Sequence, residues 1–237
     1  MATSFHVRSN SLPTKSHPFT SEVEETLSRL RSSQAASTIG HNINGLQDLH
    51  DCVDKILQLP LIQQALLQAG NRKLVDELLN GSLRILDTCS IAQNALLQSK
   101  ESVQGLQSVL RRRKGDETEL KSEIRKYLAS RKAVKKTIHK ALWNLKGMEN
   151  KRSASINEER VSMLKEHAKK MKKDINEFVK VDAALVDHKA IKSDNIFCLQ
   201  NQLKELESSI QDLEEGLESL SRRLIKARVT LLNILNN

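Results

Sequence analysis

A chain of 237 residues with 38% hydrophobic, 28% charged and only 3% aromatic content, eight Gly and three Pro lacks the turn formers and bulky strand residues of a β-sandwich or barrel. Three scattered Cys are too few for a disulfide framework and point to a reducing compartment, and no apolar run reaches the ~18 residues of a membrane span. The formal charge of +9 is uneven: residues 1–110 carry a net −1, residues 111–180 a net +12 and residues 181–237 a net −2.

Residues 1–19 hold two Pro, many Ser/Thr and no acid, and read as a disordered tail. The tail lacks the apolar core of a secretory signal, and its acid-poor composition leaves a targeting segment open. Its sharpest motif is Arg8-Ser9-Asn10-Ser11-Leu12-Pro13. Ser11 has an Arg three residues before it and a Pro two residues after it, the spacing that 14-3-3 proteins read around a phosphoserine. Phosphate adds nearly two negative charges and seeks an Arg-lined groove. Arg152-Ser153-Ala154-Ser155 is a second phosphosite without the Pro.

From residue 20 the pattern predicts helices. Ser21-Glu22-Val23-Glu24 fits a capping box, and Val23, Leu27 and Leu30 form an apolar stripe. A second helix carries Ile39, Ile43, Leu46, Leu49, Val53 and Ile56 and ends at Pro60. Its Gly40 and Gly45 would permit close packing. A third stretch, Leu61 to Asn80, has a break near Gly70-Asn71. Asn80-Gly81-Ser82 reads as a stop followed by a cap. A long helix then runs through Leu83, Leu86, Cys89, Leu96, Val103, Leu106 and Leu110 to the cations Arg111–Lys114.

The +12 segment begins there. A basic helix is predicted over about 117–147, with no acidic residue between Glu123 and Glu149. Its apolar side reads Leu120, Ile124, Leu128, Val134, Ile138, Leu142 and Leu145. Three readings stand open. Lys132, Lys135, Lys136 and Lys140, with the lone Trp143, could lie on an anionic membrane surface. Val134, Ile138 and Trp143, at spacing 1-5-10, suit calmodulin-type capture of a helix in a groove. The pattern favours a third, in which Leu128, Ile138, Leu142 and Trp143 are core and the lysines a solvated face. Specific nucleic-acid binding is not expected, because stacking aromatics and the known docking motifs are missing.

Gly147 to Asn157 reads as a linker, and Leu164, Ala168, Met171, Ile175, Phe178 and Leu185 mark a sixth helix. The last helix is the most regular. Leu199, Leu203, Leu206, Ile210, Leu213, Leu217, Leu220 and Leu224 step by four and three, and Ala227, Leu231 and Ile234 continue the seam. Positions flanking it hold Gln202, Ser209, Gly216, Arg223 and Thr230, a single charge where a zipper would carry many. The seam therefore favours packing within the chain, with a homo-oligomer as the other use.

The expected architecture is all-α. A tail (1–19) precedes one elongated antiparallel bundle of long helices (20–237), with a heptad-patterned C-terminal helix and a linker near 147–157. No catalytic constellation emerges. Cys52, Cys89 and Cys198 read as buried small hydrophobes, His139, His167 and His188 as solvated, and Asp48, Asp51 and Asp54 as a solvated face without a fixed basic partner. No metal, cofactor or enzyme activity is expected.

Several stretches together carry a family likeness: Phe5 to Pro13, His17-Pro18, Glu22 to Leu27, Leu59-Pro60, Gln63 to Leu66, Gly81 to Asp87, Leu106 to Arg113 and Ser221 to Lys226. The chain resembles, over nearly its whole length, the plant-specific helical family related to the BYPASS proteins. The resemblance implies an all-helical fold and a role in root and shoot development, with no catalytic residues to carry over. The expected function is that of a non-enzymatic, cytoplasmic protein acting through protein partners, 14-3-3 among them through phosphorylated Ser11. The alternative is a peripheral membrane protein that binds anionic lipid through residues 117–147.

Overall fold

A computed structural model describes residues 18–33, 39–112, 117–152, 177–186 and 193–236. All regular structure among them is helical: α1 (Pro18–Ser33), α2 (Ile39–Leu57), α3 (Pro60–Leu67), α4 (Arg72–Arg111), α5 (Glu117–Arg152), α6 (Glu177–Val186) and α7 (Ser193–Asn236). The tail with Arg8, Ser9, Ser11 and Pro13 lies outside the described residues, as do Ser153, Ser155, His167, His188 and the sixth helix before Glu177.

The two longest helices, α4 and α7, with 40 and 44 residues, reach about 60 and 66 Å at 1.5 Å per residue. They run antiparallel. Lys100 meets Glu214 at 2.7 Å, Gln104 and Gln107 meet Glu207, the carbonyl of Leu110 accepts from Gln200, and Arg228 reaches the carbonyl of Leu79. The heptad seam supplies their common core. Leu199, Leu203, Leu206 and Ile210 join Val103, Leu106 and Leu110 of α4, Ile124 and Tyr127 of α5, and Val181 and Leu185 of α6. Further along, Leu220 and Leu224 pack on Cys89, while Leu213 and Leu217 are half-buried. At the far end Ala227, Leu231 and Ile234 pack on Leu57, Leu66, Val75 and Leu79. The chain covers its own seam.

α2 runs parallel to α7. Gln47 donates to the Gly216 carbonyl at 3.0 Å, and the Ile43 methyl lies 3.1 Å from where a Cβ on Gly216 would stand. α1 folds back on α2, with Leu30 filling the space that a side chain on Gly45 would need, 2.5 Å from the Cβ position. Gly40, the other glycine of that expectation, has nothing within 4 Å of its Cβ position.

Three boundaries differ from the sequence expectation, and the break near Gly70-Asn71 stands where it was expected. α1 starts at Pro18 rather than at the Ser21 capping box, because a proline without an N–H and with φ fixed suits a first helical turn. The predicted break near Gly70-Asn71 is a 3-10 turn, Ala69–Asn71, with the Asn71 amide donating to the Ala65 carbonyl at 2.7 Å. Asn80-Gly81-Ser82 is no stop, since α4 passes straight through it. Burial of Val75 and Leu79 before it and Cys89 and Ala95 after it outweighs the ~1 kcal/mol that a mid-helix glycine costs. Leu83, placed on the apolar stripe, is exposed. Finally, α5 continues through Gly147 to Arg152, so the first part of the expected linker is helical, and its remainder lies outside the described residues.

Candidate functional site

α5 presents two unlike sides. Toward the bundle it buries Ile124, Tyr127, Val134 and Ala141, spaced in threes and sevens along one helical stripe. Arg131, only 11% exposed, belongs to that inner side. It pairs with Asp182 of α6 at 3.4 Å, and its guanidinium stands 4.1 Å over the Phe178 ring. Lys135 reaches the same carboxylate at 3.4 Å from the flank. Burial raises the Tyr127 phenol above its ordinary range, with the Asp182 charge adding to the shift.

The outward side carries Arg125, Lys132, Lys136, Lys140 and Trp143, all exposed. Their spacing of seven, four, four and three residues sets them in one row along the helix, about 27 Å long. Lys126 is tied to Glu123 at 3.0 Å, whereas Arg125, Lys132, Lys136 and Lys140 make no ion pair among the described residues. Trp143, the chain's one tryptophan, is 78% exposed at the end of this row, and neighbouring Leu142 is 47% exposed. His139 is exposed, as expected.

This geometry revises the sequence expectation in three places. Trp143 and Leu142 are surface, not core. Val134, at 7% exposure, and half-buried Ile138 face the bundle. Nine residues separate Val134 from Trp143, two and a half helical turns, so the 1-5-10 set does not share a face. Of the four lysines named together, Lys132, Lys136 and Lys140 stay in one row and Lys135 is drawn aside by Asp182. Arg125 joins the row. Its distance of eighteen residues from Trp143, five whole turns, was the available signal.

Elsewhere several polar groups pair across helices. Asp51 and Asp54, read as solvated without partners, bridge α2 to α7 through Arg223 and Lys226, each at 2.8 Å. Asp48 is exposed. Cys52 and Cys89 are buried and Cys198 is exposed, against expectation for the last. Burial raises both buried thiols above their usual range. A cleft of about 420 Å³ is lined by Gln104, Gln107, Ser108, Arg111, Arg112 and Glu207. There the Gln104 and Gln107 amides donate to the Glu207 carboxylate, whose value is lowered chiefly by Gln104. Among the described residues no three His, Cys, Asp or Glu gather as metal ligands, and no helix is long and apolar enough to cross a membrane.

A family model described as Protein BPS1 matches residues 42–167 and 152–234. The chain belongs to the BPS1 family. No curated protein and no solved structure matches it. The BPS1 match covers α5 whole and all eight heptad positions from Leu199 to Leu224, and the family is linked to root and shoot development. The tail and α1 lie before the first BPS1 span.

Proposed function

We propose that this BPS1-family chain is a non-enzymatic, cytoplasmic interaction protein of root and shoot development, and that the outward face of α5 is its working surface. The observation that carries the reading is the row of Arg125, Lys132, Lys136 and Lys140, which makes no ion pair among the described residues, beside an exposed Trp143. Exposed cations without partners cost nothing in water, but their crowding on one face costs mutual repulsion that an anionic partner relieves. A second docking element is the tail, where Ser11, once phosphorylated, offers 14-3-3 proteins a phosphate between Arg8 and Pro13. Ser9 completes that motif.

Affinity purification from plant tissue tests both elements. Lys132→Glu/Lys136→Glu/Lys140→Glu should strip the partners held by charge, and Ser11→Ala should remove 14-3-3 alone. A triple variant that recovers the same proteins and the same lipids as wild type would sink the reading of α5, and 14-3-3 capture undiminished by Ser11→Ala would sink that of the tail.

A further inference from the structure

None of the residues lining the 420 Å³ cleft belongs to α5; the cleft lies between α4 and Glu207 of α7. Discrete ligands bind in concavities. A row of cations about 22 Å long, at 1.5 Å per residue, fits a flat anionic partner whose charges can rearrange beneath it. Trp143 adds the second argument. An indole has an apolar body and one N–H, and it settles at the headgroup level where a bilayer meets water. Exposed Leu142 lies beside it. Single-stranded nucleic acid finds no second stacking platform on this row, and the sequence carries none of the known duplex-docking motifs. An acidic helix would need apolar positions to pack along its length, and the row supplies them at one end only.

We propose that the outward face of α5 lays the protein on an anionic phospholipid bilayer, with Arg125, Lys132, Lys136 and Lys140 over the acidic headgroups and Trp143 in the interface. The inference rests on the working-surface reading above and names its partner. Attachment leaves the bundle closed, because Ile124, Tyr127, Val134 and Ala141 stay in the core. The helix lies along the surface and does not insert its apolar side.

The protein supplies its own probe, since Trp143 is the one tryptophan. The full chain is mixed with phosphatidylcholine vesicles, with and without phosphatidylserine, at low and at physiological salt. Sedimentation and Trp143 emission are both read. The expected result is pelleting and a blue shift with phosphatidylserine only, both weakened by salt. Lys132→Gln/Lys136→Gln/Lys140→Gln should weaken binding by on the order of a hundredfold, at about fivefold per charge, with the helical circular dichroism unchanged. Arg125→Gln alone should cost about fivefold. Removing the same charge elsewhere, through Lys73→Gln/Lys180→Gln/Lys204→Gln, should leave most of the binding.

Equal losses from the two triple variants would overturn the assignment to α5. No pelleting and no shift on phosphatidylserine vesicles would overturn the bilayer. In that case a Trp143 shift on polyglutamate would preserve the reading of an anion-binding face, and no shift on either would end both.

Discussion

Arg131 and Lys132 are adjacent in sequence and do opposite work. Arg131 is held between Asp182 and the Phe178 ring, and Lys132 stands in water. One residue turns a helix by 100°, so the division follows from geometry once α6 is in place. Nothing in the sequence announces Asp182 as the partner of Arg131, because the two are separated by 51 positions. Removing the guanidinium by Arg131→Met should cost about 1.5–3 kcal/mol, the range for hydrogen bonds to charged groups, read by urea denaturation. Leu206, at 0% exposure, should cost about 2–5 kcal/mol on truncation to Ala. Trp143→Ala should stay within about 0.5 kcal/mol, as surface substitutions do. His50 gives a pH signature. Burial holds its imidazole below the ordinary range, opposed by Asp51 and reinforced by Arg223, and its Nδ1 is buried without a partner. A depressed folded value makes the unfolded chain the stronger proton binder, so stability present above pH ~6.5 is lost as pH falls. The slope of stability between about pH 7 and pH 5 should therefore flatten in His50→Gln. Glu207, whose carboxyl is lowered chiefly by the Gln104 amide, loses its contribution only further down, below its ordinary range near 4.5.

Among the helices, what the sequence made legible is what repeats. The steps of four and three from Leu199 to Leu224 specify a stripe long enough to be read without knowing its cover, and the structure covers it with α4, α5, α6 and α2. Single punctuation marks were misleading. Asn80-Gly81-Ser82 looks like a boundary because each residue is a weak helix former, yet buried side chains on both sides keep the helix continuous. Ser82 even bonds back to the Leu79 carbonyl at 2.8 Å. A Cβ on Gly81 would meet nothing within 4 Å, so Gly81→Ala should stabilise the protein by about 0.5–1 kcal/mol. No gain, or a loss, in thermal unfolding would mean that the chain turns there. The parallel register of α2 on α7 shows in the pairs Asp51–Arg223 and Asp54–Lys226. Each bridge has one well-exposed partner, Asp51 and Lys226, and exposed pairs are worth about 0.2–1 kcal/mol. Asp51→Arg with Arg223→Asp should recover what either change loses alone, and should do so less at high salt.

At the scale of the molecule, α4 and α7 thread three core clusters along one axis, and the heptad seam is spent inside the chain. Sedimentation velocity should show a monomer, since the surface best patterned for a partner helix is already covered. The +12 excess of residues 111–180 was visible from composition, but not which of its charges remain available. Asp182 takes up Arg131 and Lys135, Glu123 takes up Lys126, and Arg125, Lys132, Lys136 and Lys140 make no ion pair among the described residues. A working surface on α5 requires that row and Trp143 to face outward together. The direct measurement is the emission of Trp143 in the free protein with its quenching by acrylamide. Red-shifted, readily quenched emission, close to that of indole in water, is the predicted result. Blue-shifted emission protected from the quencher would contradict it, by returning Trp143 to the core and the lysine row to a mere solvated face.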